Sequence, residues 1–200
     1  MPRVTRPADA ARPATRADLD RLPENIVGEI IDGVLYTSPR PRPRHSFIEV
    51  RIGAALDESF QRRRGGPGGW WILIEPGLEI GGAAEVVPDL AGWRVQRLPQ
   101  LPAESAITVV PDWVCEILSP STHSHDQLVK RRFYARVGVE YLWFIDPDAR
   151  TLSVCQLRDA HWVELGVYGQ NERIRAEPFA AVELDMSDWW MPEGAPPAPA

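Results

Sequence analysis

Asp89, Asp112 and Glu116 sit in two runs of the same local form, EVVPDLAGW and VVPDWVCEIL, in which a proline leads into an aspartate at a strand. Period-two alternation puts Asp112, Val114 and Glu116 on one face and Trp113, Cys115 and Ile117 on the other. If strand 86–93 pairs with strand 111–118, Asp89 meets Glu116 across the ladder. Two carboxylates that close repel each other unless a cation lies between them, and an oxygen-rich site of this sort suits Mg²⁺ or Mn²⁺. A blander reading stands beside it, with Asp89 and Asp112 as strand-start turn residues and Glu116 ion-paired, because a carboxylate is rarely buried without a partner.

Lys130 is the third candidate. It follows Asp126 by four residues, the spacing of a surface ion pair on a helix. The same spacing sets Asp126, Lys130, Phe133, Tyr134 and Val137 roughly along one side, so Lys130 can equally face the sheet near Glu116. A lysine beside metal-bound carboxylates can stabilise the charge of a phosphoryl transition state or orient the attacking water. His123 and His125, two residues apart, do not share a helical face and carry no further ligand motif. His45 opens a helix, as a polar cap or as a group facing phosphate. Ser119 and Ser121 lie outside any Gly-x-Ser-x-Gly elbow. The glycines from Gly65 to Gly69 lack the Lys and Ser/Thr of a phosphate-binding loop.

The elements that must position these groups follow from periodicity and punctuation. Thr15 and Asp18 form a capping box for a short helix closed by Pro23. Val27 to Tyr36 reads as two strands joined at the tight-turn pair Asp32-Gly33, with Glu29 on the first. Ile48, Ile52, Ala55, Leu56 and Phe60 recur at helical spacing between His45 and Arg64, and the arginines at 62–64 suit the negative end of the helix dipole. Trp70 to Ile80 and Glu85 to Trp93 are expected as strands, with Gly81 and Gly82 turning between them. The stretch from Val109 to Pro147 reads as strand, turn, helix to Val137 with Gly138 as C-cap, and strand. Strands over 151–157 and 161–165 follow, then an irregular segment over 166–177. A strand–helix–strand step of this kind is a right-handed crossover when its strands are parallel neighbours.

With 200 residues, 44% of them hydrophobic and eight of them Trp, the chain has material for one continuous core. The formal charge of −6 argues against a constitutive high-affinity nucleic-acid binder, although bound cations can invert the field in a carboxylate site. No run is long enough to span a bilayer and no apolar signal core follows Met1, so the expected location is cytoplasmic, without a membrane. Cys115 and Cys155 are expected as buried thiols. The segments 1–14 and 191–200 read as flexible tails around a single domain, 15–190.

The run PDWVCEILSPSTHSHDQLVKRRFYARVGVEYLWFIDPDARTLSV resembles the signature of the Uma2 family, within the PD-(D/E)XK or restriction-endonuclease-like superfamily. The likeness extends through GEIIDGVLYTSPRP, the helix at His45, VVPDL and VELDMSDWW, or about residues 24 to 190. It implies an α/β restriction-endonuclease-like core, with a central mixed sheet flanked by helices and additional N-terminal strands. It further implies Asp89 and Glu116 as metal ligands, Lys130 as the lysine supplied from the following helix (Leu118 stands two after Glu116, so the Glu-x-Lys form is missing), and Glu29 as the N-terminal acidic residue. Asp112 and His45 are accessory candidates. On that reading Mg²⁺ or Mn²⁺ is held by Asp89, Glu116 and the backbone carbonyl of Ile117 for hydrolysis of a phosphodiester in nucleic acid, with DNA as the expected substrate and a homodimer as a further partner. Two alternatives stay open: a fold kept for binding without turnover, and a homo-oligomeric scaffold with Trp70, Trp71, Trp93, Trp189 or Trp190 at an interface.

Overall fold

Residues 12–81, 85–120 and 122–192 are described by the computed structural model. Its centre is a six-stranded sheet in the order β3-β4-β5-β6-β7-β8. These strands are β3 (Trp70–Ile74), β4 (Leu90–Arg94), β5 (Trp113–Ile117), β6 (Tyr141–Asp146), β7 (Thr151–Arg158) and β8 (His161–Gly169). The β5–β6 pair is parallel and the other neighbours are antiparallel, which makes the sheet mixed. A parallel pair needs a crossover. Here it is a helical segment of three parts: α3 (His123–His125), a π-helical turn (Asp126–Lys130) and α4 (Arg131–Val137). Gly138 ends it with φ 86°, a left-handed conformation that an L side chain resists.

Alternation on β5 sorts the core as expected. Trp113, Cys115 and Ile117 pack into one cluster with Ile48, Ile52 and Leu56 of α2 (Pro43–Leu56). Val114 and Leu118 pack on the other side with Phe133 and Tyr134 of α4. Ahead of the sheet stand the short capped helix α1 (Arg16–Leu19) and the hairpin of β1 (Ile26–Ile31) and β2 (Val34–Pro39), turning at Asp32 and Gly33 with φ 54° and 71°. Backbone bonds between Ile30 and Glu85 tie that hairpin to the segment entering β4.

Prolines account for most departures from the expected boundaries. The first sheet strand stops at Ile74, before Glu75 (φ 46°) and Pro76. Residues ahead of Pro88 make only isolated bridges, so β4 starts at Leu90. Pro111 likewise delays β5 to Trp113, since proline has no N–H for the ladder. The long helix begins at Pro43, two residues before His45, and passes into a π-helical turn over Asp57–Gln61. Arg63 lies beyond its end with φ 59°, so the arginine run does not sit on the last turn. β8 reaches Gly169 and β9 (Arg173–Ile174) pairs with β10 (Leu184–Asp185), where an irregular segment was expected.

Trp70, Trp93, Trp189 and Trp190 are all buried, which removes four of the five tryptophans considered for a subunit interface. Cys115 and Cys155 are free buried thiols. Gly82, Ser121 and the terminal segments 1–11 and 193–200 lie outside the described residues. No helix among the described residues is long and apolar enough to cross a membrane.

Candidate active site

The antiparallel register Leu90↔Cys115 and Ala91↔Val114, continued by one step, sets Asp89 opposite Glu116. Because β4 runs against β5, the start of β4 lies at the carboxyl end of β5, where the chain leaves the sheet for the crossover helix. Open α/β sheets bind ligands at such strand ends. A cavity of about 300 Å³ opens there, lined on different sides by Glu29, His45, Asp89, His125, Asp126 and Lys130.

Lys130 lies between two carboxylates. Its Nζ is 2.8 Å from Glu116 Oε1 and 3.1 Å from Glu29 Oε1, and it also donates to the Val87 carbonyl at 3.1 Å. Tyr134 Oη donates to Glu116 Oε1 at 2.6 Å. Lys130 is 3% exposed and Glu116 1%, so the ion pair is withdrawn from water. Burial works against the ammonium, but Glu116 and Glu29 outweigh it and hold the Lys130 pKa well above its usual value. The surface Asp–Lys pair allowed by the spacing is therefore not what forms. The π-helical turn brings both Asp126 and Lys130 inside, and burial raises Asp126 to about 6 against the pull of Lys130. Turns of this kind are frequent at functional sites.

Glu29 accepts from the Val87 amide at 2.9 Å and lies 3.0 Å from His125 Nε2. Burial alone would raise its pKa. Lys130 and His125 overcome that and lower it from 4.5 to about 2. The folded state thus holds this proton less tightly than the unfolded chain. The stabilisation is complete above pH 4.5 and is lost as the pH falls toward 2. Two and a half units correspond to about 3 kcal/mol. Thermal melts of wild type and Glu29→Gln across this window should show a steep acid loss in the first and a flatter profile in the second.

Asp89 bridges to the α2 side. Its Oδ2 accepts from the Ile117 amide at 2.5 Å and lies 3.2 Å from His45 Nε2. One helical turn after His45 stands Glu49, with its Oε2 3.6 Å from His45 Nδ1. Ligand atoms of His45, Glu49 and Asp89 all lie within 4.8 Å of one another. His45 Nδ1 and Glu49 Oε1 are buried with no hydrogen-bond partner among the described residues. Burial disfavours the imidazolium, yet Asp89 and Glu49 outweigh it and raise the His45 pKa to about 10. The group is thus balanced either by a proton on His45 or by a metal cation in its place. One nitrogen and two carboxylates, with a buried oxygen and a buried nitrogen uncommitted, are a donor set that fits a divalent ion such as Mn²⁺.

Of the residues singled out by sequence, Glu29, Asp89, Glu116, Lys130 and His45 therefore converge, and Asp112 does not join them. It is 1% exposed and accepts from the Arg94 amide at 2.9 Å and from the Arg94 guanidinium at 2.5 Å. Arg97 lies 3.0 Å from the same carboxylate. Its neighbours are those of a structural ion pair toward the amino end of β5. The Ile117 amide, not its carbonyl, makes the contact seen with Asp89. Sequence reasoning passed over Glu49, weighed His125 only as a metal ligand, and placed Tyr134 on the Lys130 side without giving it a role. For Glu49 the signal was present, as it stands four residues after His45 on one helical face.

A mixed sheet with a parallel central pair, carboxylates at its strand ends and a buried lysine from the crossover helix is a nuclease-type α/β fold. In fold the chain is similar to a crystal structure described as "a putative nuclease belonging to DUF820" from Anabaena variabilis ATCC 29413. The TM-score is 0.69 at 24% identity, covering 89% of this chain and 98% of that one. The chain belongs to the Uma2 family, described as "Putative restriction endonuclease", whose sequence model matches residues 16–187. No curated protein matches.

Proposed function

We propose that the chain is a divalent-cation-dependent nuclease that hydrolyses phosphodiester bonds in nucleic acid, with DNA as the first substrate to test, and that residues 15–190 form its single catalytic unit. The observation that carries this reading is the donor cluster around Asp89. Uncommitted buried atoms of His45 and Glu49 lie on one side of it, and the Glu116–Lys130 ion pair stands on the facing strand.

Asp89 and Glu116 would hold the cation, together with the Ile117 carbonyl and with His45 and Glu49 from α2. A bound divalent ion supplies a water of lowered pKa and neutralises charge on a phosphoryl oxygen. Lys130 keeps its proton, because two carboxylates favour the ammonium, and with its three N–H donors on Glu116, Glu29 and the Val87 carbonyl its role is to orient Glu116 and to place a positive charge near the phosphoryl group. Glu29 fixes the Lys130 ammonium from the side opposite Glu116. Tyr134 locks the Glu116 carboxylate by donating to Oε1. The donors sit on β4, β5 and α2, rigid elements that limit the reorganisation needed on binding.

Calorimetric titration with Mn²⁺ in the absence of substrate tests the site directly. Wild type should bind at a specific site, and Glu49→Gln should weaken that binding by roughly tenfold or more, as loss of a ligand exceeds loss of a second-layer partner. Equal affinity in the two proteins would exclude Glu49 and the α2 side from the cation site.

A further inference from the structure

The mouth of the same cavity is lined by Arg40, Arg42 and Arg44, which alternate with prolines in the run PRPRPRH just before His45. Each proline fixes its own φ and confines the residue before it to extended conformations. Arg42 accordingly has φ −81° and ψ 158°. Ahead of the helix the segment is stiff and extended, which sets Arg40 and Arg42 about 6 Å apart at the rise of a polyproline-type chain, while Arg44 lies in the first turn of α2.

The three arginines are differently committed. Arg44 is tied across the cavity mouth to Asp148 at 2.7 Å and to the Pro147 carbonyl. Arg40 uses its Nε on the Glu24 carbonyl at 2.6 Å. Arg42 is exposed, and its guanidinium has no hydrogen-bond or ion-pair partner among the described residues. Below them the cavity wall carries Glu29, Glu75, Asp89 and Asp126, in a chain of net charge −6. A phosphate chain approaching this floor meets carboxylates on several sides, and the exposed cationic groups that line the cavity are the three arginines.

We infer that Arg40 and Arg42 hold the phosphates next to the scissile one, and that the strand they deliver is unpaired. This rests on the phosphodiester reading above. Depth decides the strand state. Lys130 and Asp126, which line the cavity of about 300 Å³, are at most 4% exposed. Duplex DNA is stiff over about 150 base pairs and cannot fold a phosphate into such a recess without local opening. A single strand bends freely and is held through its backbone by basic grooves without sequence readout. The prolines pre-order the arginines, so less side-chain and backbone freedom is lost when the strand binds.

The test measures binding of a labelled oligothymidylate and of a blunt hairpin duplex across a salt series, with Ca²⁺ as the cation. Wild type should bind the single strand more tightly than the hairpin. Arg40→Gln/Arg42→Gln should weaken single-strand binding roughly tenfold near 0.15 M salt. Its log–log salt slope should fall by about 1.4, or about 0.7 for each phosphate contact on a single strand. Arg42→Gln alone should give about half of that slope change, and Arg42→Lys should keep the wild-type slope, since the charge is kept. Both arginines are exposed, so melting temperature serves as the check on folding. Unchanged affinity and slope in a folded double variant overturns the inference, as does tighter binding of the hairpin by wild type. Either of those outcomes leaves the cation-dependent reading standing, whereas wild type that binds neither oligonucleotide overturns both.

Discussion

Lys130→Met should melt roughly 6–20 °C below wild type and should cleave no nucleic acid. Methionine matches the length of the lysine stem and removes only the ammonium, which leaves Glu29 and Glu116 facing each other in a buried site. Removing one partner of a buried ion pair costs about 3–5 kcal/mol, and each kcal/mol is worth about 2–4 °C in a chain of this size. Stability and chemistry separate in the double variant Lys130→Met/Glu116→Gln. The neutral amide no longer needs a cation and Glu29 keeps His125 and the Val87 amide, so at least half of the lost stability should return. Cleavage should not return. Recovery of cleavage in that protein would exclude both Lys130 and Glu116 from the chemistry.

Asp89→Asn should have the opposite profile, with a small change in stability and a large change in function. Asparagine keeps an oxygen that can accept from the Ile117 amide, the contact that closes the gap between β4 and β5. What it removes is the negative charge shared by the His45–Glu49 side and the Glu116 side. Loss of about three orders of magnitude in cleavage rate is expected, equivalent to roughly 4 kcal/mol of transition-state stabilisation. The melting temperature should move by only a few degrees, since asparagine keeps the size of the side chain and its acceptor for the Ile117 amide.

The sequence made the sheet side of this site legible and left the helix side obscure, for physical reasons that differ by residue. Alternation in WVCEI requires Glu116 to share a face with Val114, and the structure sorts those side chains so. The pairing of the VVPD and PDWVCEIL strands was an assumption in the sequence, and the antiparallel register supplies it, with Asp89 opposite Glu116. The inward turn of Asp126 and Lys130 was only half readable. Spacing of four gives a surface pair or a buried one with equal ease, and the π-helical turn over Asp126–Lys130 that accompanies the buried arrangement has no signal in a 3.6-residue period. Glu49 was hidden by its neighbours, because Ile48 and Ile52 define the apolar face and a carboxylate beside them looks like its edge. It is 4% exposed, which no periodicity reports. Asp112 misled for the converse reason. It has the motif position of Asp89, but its partners, Arg94 and Arg97, come from the far end of β4 and the loop beyond it.

The most direct measurement is cleavage of labelled single-stranded and duplex DNA by wild type and Asp89→Asn, each with Mg²⁺, with Mn²⁺ and with EDTA. Phosphodiester cleavage by wild type that needs the divalent ion and falls about a thousandfold in the folded variant is the expected result. Cleavage that survives EDTA, or that is equal in the two proteins, would contradict a cation site built on Asp89.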